Sequence, residues 1–172
     1  MTGKGKGPHA ELSMPEMDIG DVFVNYQMNL QVAIENKGEI DCHYKLIPYD
    51  TPFGSKFHFS TTEGVLGVKD KNKETIDVKF KSDILGEFSE TFRFALEGSS
   101  EMKTLTYKGH VVAPTFSFSK EMIDFGLVSF LFKVEDRVTL TNTSEVEIKY
   151  QIRVPSDGRT SEFTILNDRG CL

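Results

Sequence analysis

The 172-residue chain has only two cysteines, no tryptophan and no excess of positive charge. Cys42 and Cys171 are too few for the disulfide framework of a small secreted domain, so we expect a reducing compartment. Acidic side chains outnumber basic ones by 26 to 20, and the formal net charge of −6 disfavours a protein whose main task is to bind nucleic-acid backbone. We therefore expect no nucleic-acid partner.

Long apolar runs are also missing. The longest nearly apolar stretch, from Phe125 to Phe132, is eight residues long and is too short to cross a bilayer. The first ten residues are rich in glycine and lysine and lack the apolar segment of a signal peptide. Hydrophobic residues still make up 38% of the chain, which is enough for a packed core. The sequence predicts a cytoplasmic protein that has no membrane partner.

Residues spaced for catalysis or for metal binding are not found. The four histidines, at positions 9, 43, 58 and 110, lack the spacing of a metal site, and adjacent Cys42 and His43 would point to opposite faces of a strand. The alternating glycines and lysines of residues 3–7 lack the spacing of a phosphate-binding loop. We therefore predict no catalytic, cofactor-binding or metal-binding residue, no cofactor, no small-molecule substrate and no enzyme activity. Cys42 is expected to be a core residue.

An internal repeat organises the chain. Shifting the sequence against itself by 106 positions aligns thirteen identical pairs without a gap. The pairs are Pro8/Pro114, Ser13/Ser119, Asp18/Asp124, Gly20/Gly126, Val22/Val128, Val32/Val138, Asn36/Asn142, Glu39/Glu145, Tyr44/Tyr150, Ser55/Ser161, Phe57/Phe163, Gly64/Gly170 and Leu66/Leu172. The repeat predicts a complete module at residues 8–113 and the N-terminal portion of a second module at residues 114–172. Residues 1–7 are expected to be the tail of a preceding module or a flexible lead.

The hydrophobic pattern within each module is that of β-strands. Apolar and polar residues alternate at 28–34, 76–80 and 92–96, and no long stretch keeps a helical period. Further strands are predicted at 10–13, 19–24, 42–47, 56–60 and 103–112, with turn signals between them. The predicted fold class is all-β, with tandem immunoglobulin-like antiparallel β-sandwiches of which the second is truncated. A small barrel is the alternative.

The second module is expected to have strands at 116–118, 125–132, 135–141, 147–153 and 162–166. It lacks counterparts of the last three strands of the first module, so we expect unpaired strand edges and exposed apolar side chains. Asn36 and Asn142 occupy the same repeat position, and we expect each of them to form a turn by adopting a positive φ angle.

A lysine cluster is the candidate docking site. Five lysines fall within 13 residues: Lys69, Lys71, Lys73, Lys79 and Lys81. One interpretation is a solvated hairpin whose lysines discourage edge-to-edge pairing. The other is a dock for an acidic peptide, such as the acidic tails of tubulin, because clustered lysines attract such partners at moderate salt.

The order of the motifs resembles the ASH modules of the hydin-like repeat family, which is related to the major sperm protein and PapD-like sandwiches. In the second module the likeness rests on Ile123–Val128, Leu140–Ser144, Tyr150 and Pro155. The first module has the matching Ile19–Val22, Ile34–Gly38, Tyr44, Phe57, Phe59, Gly64, Ile76–Phe80 and Gly86–Phe88, and it closes on Lys108–Pro114. One departure is that Gly64 is not followed by the proline-bearing turn expected of the pattern.

The resemblance implies a non-enzymatic structural protein of motile cilia and flagella. It implies a place in the central-pair apparatus of the axoneme, a role in cilium movement, and partners among axonemal or microtubule-associated proteins. It implies no catalytic residue. The alternative function is a peptide-binding module of the major sperm protein type, which would hold an acidic segment on the lysine-rich edge.

Overall fold

The structure is a computed structural model that describes residues 7–154 and 162–172. Within these residues the regular structure is β, apart from the 3₁₀ turn at Gly54–Lys56 and a 3₁₀ position at Glu162. The chain divides into a first unit, Met1–Ala113, and a second unit, Pro114–Leu172. The predicted all-β fold class is confirmed. The prediction for residues 1–7 lies, except for Gly7, outside the described residues.

The first unit has nine strands in two sheets. The strands are β1 (Ala10–Leu12), β2 (Glu16–Phe23), β3 (Met28–Asn36), β4 (Cys42–Leu46), β5 (Phe57–Phe59), β6 (Glu63–Leu66), β7 (Lys73–Phe80), β8 (Gly86–Leu96) and β9 (Met102–Val112). One sheet has the order β1-β3-β7-β5, and the other has the order β2-β9-β8-β4-β6. The paired strands are antiparallel except β2 and β9, which are parallel. Only β6, which is short and contains Gly64, has no counterpart among the predicted strands.

Alternate residues of the strands face inward and form one core between the two sheets. In β7, Ile76, Val78 and Phe80 are buried, and the residues between them are exposed. Cys42 is also fully buried in this core, which confirms its predicted role as a packing residue. Burial raises the pKa of the Cys42 thiol, because the uncharged form is favoured away from water.

Aromatic side chains fill the middle of the core, and Phe57 is at their centre. The centroid of its ring lies 4.3 Å from that of Phe80 and 5.3 Å from that of Tyr107. The ring centroids of Phe88 and Phe92 lie 5.9 and 5.1 Å away. Because β5, β7, β8 and β9 each contribute a ring, these contacts join the two sheets.

Tyr107 is buried, and its hydroxyl has no hydrogen-bond partner among the described residues. Burial raises the pKa of this hydroxyl to about 12, from an ordinary value of 10.0. The neutral tyrosine therefore contributes stability that is fully present below about pH 10 and is lost as the pH rises towards about 12. We expect Tyr107→Phe to leave the free energy of unfolding unchanged or higher at neutral pH, because no hydrogen bond is lost.

The same substitution is expected to weaken the decline of stability between about pH 10 and about pH 12. Urea denaturation of both proteins across this range measures the effect, and Tyr26→Phe is the control because Tyr26 is 55% exposed. A loss of more than about 1 kcal/mol at neutral pH in Tyr107→Phe would show that the hydroxyl makes a stabilising hydrogen bond.

The described part of the second unit contains four short strands. They are β10 (Phe116–Phe118), β11 (Leu140–Asn142), β12 (Lys149–Gln151) and β13 (Arg169–Cys171). β10 pairs with β11 and β12 pairs with β13, both antiparallel. The register repeats that of the first unit: Leu12 opposite Ile34 becomes Phe118 opposite Leu140. The second unit thus reproduces the pairs β1–β3 and β4–β6 of the first.

Three strand predictions in the second unit are wrong. No strand forms at 125–132 or 162–166, and only the end of 135–141 is a strand, as part of β11. The counterparts of these segments in the first unit are β2, β5 and β3, which pair with β9, β7 and β7. Residues 114–172 correspond to 8–66, so the described part of this unit contains no counterpart of β7 or β9, and these segments lie without the strands with which they would pair. β13 was not predicted, and it forms because its partner β12 is present.

Candidate functional site

The five candidate lysines lie in two groups along β7. Lys69 and Lys71 are in the loop before β7 and Lys73 begins the strand, whereas Lys79 is near its end and Lys81 follows it. All five residues are exposed. Lys73 and Lys79 are separated by about 20 Å, since a strand rises about 3.3 Å per residue. The structure therefore separates a first group of Lys69, Lys71 and Lys73 from a second group of Lys79 and Lys81.

The lysines are not neutralised by direct ion pairs. Within the described part of the chain, none of the five has an acidic side chain within ion-pair distance. Glu35 lies opposite Lys73 across the sheet, but its carboxylate contacts the ammonium of Lys37 at 2.7 Å. The hydrogen bond from Lys37, with a smaller contribution from the charge of Lys73, lowers the pKa of Glu35. The first group thus keeps its positive charge available to solvent.

The two strands next to β7 pair with different lengths of it. β3 pairs with it from Lys73 to Phe80, but β5 pairs only with its last three residues, Val78–Phe80. The first half of β7 therefore has a paired strand on one side only. The first lysine group lies beside this open edge, whereas Lys79 is in the paired half of β7, opposite His58 of β5.

An inward-pointing acid lies beside the first lysine group. Glu74 has the same parity on β7 as the buried Ile76, and its carboxylate accepts a hydrogen bond of 2.8 Å from the hydroxyl of Tyr44 on the opposite sheet. Burial, together with the bond to Glu74, raises the pKa of Tyr44 far above its usual value. The alternation of β7 marks Glu74 in the sequence, but its partner Tyr44 is known only from the structure.

Asn36 ties the end of β3 to two turns, by a mechanism different from the one predicted. Its side-chain amide donates to the carbonyl oxygen of Ile40 at 2.8 Å and to those of Leu66 and Gly67 at 3.1 Å. The amide N–H of Gly38 donates to its side-chain oxygen at 2.8 Å. The predicted positive φ angle is wrong: Asn25 and Lys71 adopt one in the first unit, and Asn36 does not. Asn36 ends a strand and acts through its side chain.

Asn142 repeats this arrangement in the second unit, also without a positive φ angle. Its side-chain amide donates to Val146 at 2.7 Å and to Leu172 at 3.1 Å, and it accepts from the amide N–H of Ser144 at 2.9 Å. Because these acceptors lie 106 positions after Ile40 and Leu66, the two units share this contact as well as their strand register.

Residues 7–154 and 162–172 contain neither a metal-type cluster of side chains nor a helix of the membrane-spanning type. No three side chains of histidine, cysteine, aspartate or glutamate lie together there as they would around a metal ion. No helix in that part of the chain is long and apolar enough to cross a membrane.

Comparison with known proteins finds relatives that match most of the chain. A family model described as HYDIN/CFA65/VesB-like, Ig-like domain matches residues 8–110. The Hydrocephalus-inducing protein homolog of Homo sapiens is 36% identical over 156 residues, and the Hydrocephalus-inducing protein of Mus musculus is 34% identical over 156 residues. Each match covers 91% of this chain and 3% of the relative, so the chain spans a small part of their length.

Two solved structures share the sandwich. The ASH/PapD-like domain 7 of human CEP192 has a TM-score of 0.51 at 12% identity, with 65% of this chain and 91% of that chain covered. A protein of unknown function from Porphyromonas gingivalis W83 has a TM-score of 0.52 at 9% identity, with 64% and 55% covered. At such identities the likeness concerns the fold alone.

Proposed function

The chain belongs to the HYDIN/CFA65/VesB-like family of Ig-like domains, and we propose that it is a non-enzymatic scaffold module of the motile ciliary or flagellar axoneme. The observation that carries this proposal is the 36% identity to a Hydrocephalus-inducing protein homolog over 156 residues, a length that exceeds the 113 residues of the first unit. The resemblance found from the motifs is thereby confirmed at the level of the family. The place in the central-pair apparatus, the role in cilium movement and the axonemal partners remain part of the proposal.

The architecture supports a role in docking. Short, well-packed strands present two broad sheet faces, and the described polar side chains on them form exposed pairs such as Lys45 with Glu63 and Lys108 with Glu16. Such exposed ion pairs contribute little to the free energy of unfolding. Their side chains can therefore exchange these contacts for contacts with a binding partner at little cost to the fold.

Localisation in ciliated cells of the source organism tests the proposal. An antibody against the first unit is expected to label axonemes that remain after detergent extraction, and immunogold sections are expected to place the label at the central pair. Label confined to the detergent-soluble fraction would contradict the ciliary scaffold. Label on the outer doublets would contradict only the central-pair assignment.

The second candidate function is a peptide-binding module of the major sperm protein type. It is favoured by the first lysine group, which is exposed, forms no ion pair with an acidic side chain of the described residues, and lies beside the half of β7 that β5 does not cover. An acidic segment would be held by its charge, and it would add a strand to the open edge.

Charge reversal separates this candidate from the first. We expect the triple variant Lys69→Glu, Lys71→Glu, Lys73→Glu to weaken binding of a fluorescent polyglutamate peptide by about tenfold or more at moderate salt. The control variant Lys45→Glu, Lys103→Glu, Lys108→Glu changes the net charge equally on the other sheet, and it is expected to weaken binding by less than about threefold. Equal effects of the two variants, measured by fluorescence anisotropy, would rule out a site at the first lysine group.

A further inference from the structure

The open half of β7 begins where the chain leaves one sheet of the first unit for the other. The backbone N–H of Ser60 donates to the carbonyl oxygen of Asp77 at 2.8 Å, and the hydroxyl of Ser60 accepts from the N–H of Asp77 at 3.0 Å. Because this side chain takes the place of a backbone acceptor, β5 ends there, and the next residues cross to the other sheet, where Thr62 accepts from Leu46. No described strand continues the line of β5 beside residues 73–76.

The backbone groups of Lys73 and Thr75 point to this open side. Alternate residues of an antiparallel strand bond to the neighbour on one side, and the residues between them bond to the neighbour on the other. The carbonyl oxygen of Asn72 accepts from the last residue of β3, whereas Asp77 bonds on the β5 side. Even-numbered residues of β7 therefore bond to β3. The N–H and C=O groups of Lys73 and Thr75 are left for an added strand.

Glu74 lies between these two residues, and its half-buried side chain faces inward. One carboxylate oxygen, Oε2, accepts from the hydroxyl of Tyr44 at 2.8 Å. Gly64 leaves room for this oxygen, since a Cβ at Gly64 would lie 2.8 Å from it. Within the described residues the other oxygen, Oε1, has no hydrogen-bond donor and is not fully buried. A strand added to the open half of β7 would bring one of its side chains next to Oε1.

We propose that the open half of β7 binds an acidic segment that carries one basic side chain at a fixed position, and that Glu74 selects this position. This inference rests on the proposed peptide-binding function. The segment runs antiparallel to β7, in line with β5, and its basic residue lies opposite Glu74 and donates to Oε1. The following residue lies opposite Lys73 and is acidic, and a second acid two positions later reaches towards Lys71 and Lys69.

Charge and geometry both favour this order of residues. Lys73 has no ion pair with an acidic side chain of the described residues, so an acid opposite it gains a partner without displacing another. The position opposite Glu74 lies between the two hydrogen-bonded positions, where the side chains of paired strands come closest. An acid there would place two like charges directly opposite each other, which is unfavourable. An apolar residue would cover Oε1 without giving it a hydrogen bond.

Two fluorescent hexapeptides of identical composition and charge test the order. Both have blocked ends: TKEGEE places its lysine opposite Glu74 and a glutamate opposite Lys73, and TEEGEK exchanges the lysine with a glutamate. We expect the full chain to bind TKEGEE about tenfold or more tightly than TEEGEK at low salt, by fluorescence anisotropy. N-methylation of the first glutamate of TKEGEE removes an N–H that bonds to β7 and should weaken binding. N-methylation of its lysine, whose N–H points away from β7, should not.

Glu74→Gln is the decisive variant. It keeps an acceptor for Tyr44 and removes the negative charge, so the affinities of the two peptides are expected to agree within about twofold. Asp77→Asn is the matched control, because it removes an outward charge of the same strand and keeps the oxygen that accepts from Gln31. This control should retain the preference for TKEGEE. Urea titration of each variant shows that the first unit is folded.

The other outcomes overturn the proposal in distinguishable ways. If TKEGEE and TEEGEK bind equally, and charge reversal of the first lysine group weakens both, the acidic dock stands and the selection by Glu74 is wrong. If neither peptide binds and polyglutamate does not bind either, the peptide-binding function itself is wrong. A preference for TKEGEE that persists in Glu74→Gln would assign the selection to another group. Equal effects of the two N-methyl groups would contradict the addition of a strand to β7.

Discussion

Phe57→Ala is expected to lower the free energy of unfolding of the first unit by about 3–5 kcal/mol, the usual cost of removing a fully buried phenylalanine. The ring contacts four other aromatic rings contributed by β7, β8 and β9 and is 1% exposed. Its removal leaves a cavity at the centre of the core that close-packed neighbours fill only in part. Because the chain has no tryptophan, far-UV circular dichroism in a urea titration is the appropriate measurement.

The repeat supplies a matched control for this prediction. Phe163→Ala removes the same side chain at the same repeat position, where it is 54% exposed and its ring centroid lies 6.3 Å from that of Phe125. Its effect on the unfolding transition is expected to stay below about 0.5 kcal/mol, as for most exposed positions. Phe57→Leu, which keeps part of the volume, should fall between the two. Equal losses from Phe57→Ala and Phe163→Ala would mean that burial does not set the cost.

Asn36→Ala is expected to lower the free energy of unfolding of the first unit by about 2–4 kcal/mol. Asn36 is 3% exposed, and its loss removes hydrogen bonds from the carbonyl groups of Ile40, Leu66 and Gly67 and from the amide N–H of Gly38. Buried polar groups without partners are costly because water cannot replace the lost bonds. The same urea titration measures the loss.

Two further variants show which part of the Asn36 side chain matters. Asn36→Asp keeps the oxygen that accepts from Gly38, but it replaces the NH₂ group, which donates to three carbonyl oxygens, by a second acceptor oxygen. It should therefore destabilise the unit at least as much as Asn36→Ala. Asn142→Ala removes the equivalent contacts at a half-buried position that water reaches, and it should cost less than about 1 kcal/mol. If Asn36→Asp left the free energy of unfolding unchanged, the loss in Asn36→Ala would come from the oxygen that accepts from Gly38, and not from the NH₂ donor.

Much of the first unit could be predicted because a strand has a period of two. The alternation of 76–80 and 92–96 marked the inward residues of β7 and β8. The alternation of apolar and polar residues does not show which strand pairs with which. For that reason β6 was missed, the parallel pairing of β2 with β9 was not foreseen, and Tyr44 was not recognised as the partner of Glu74.

For the lysine cluster, too, some properties could be predicted from the sequence and others could not. Its composition and exposure could be predicted, because charged residues in a turn-rich stretch are solvated. Its division into two groups could not, because residues that are close in sequence lie far apart along an extended strand. The uncovered half of β7 beside the first group also depends on how far β5 extends, which is a property of the fold.

The amino-acid sequence by itself determined the repeat of 106 positions, the all-β class and the family of this protein. It did so because strand period and residue identity are local properties of a chain. Only the tertiary structure decided which of the repeated segments become strands and which repeated side chains are buried. The physical reason is that a strand is stabilised by a neighbouring strand that completes its hydrogen bonds and by residues that cover its apolar face. Residues that are identical at equivalent positions of 8–66 and 114–172 have different neighbours in the two units.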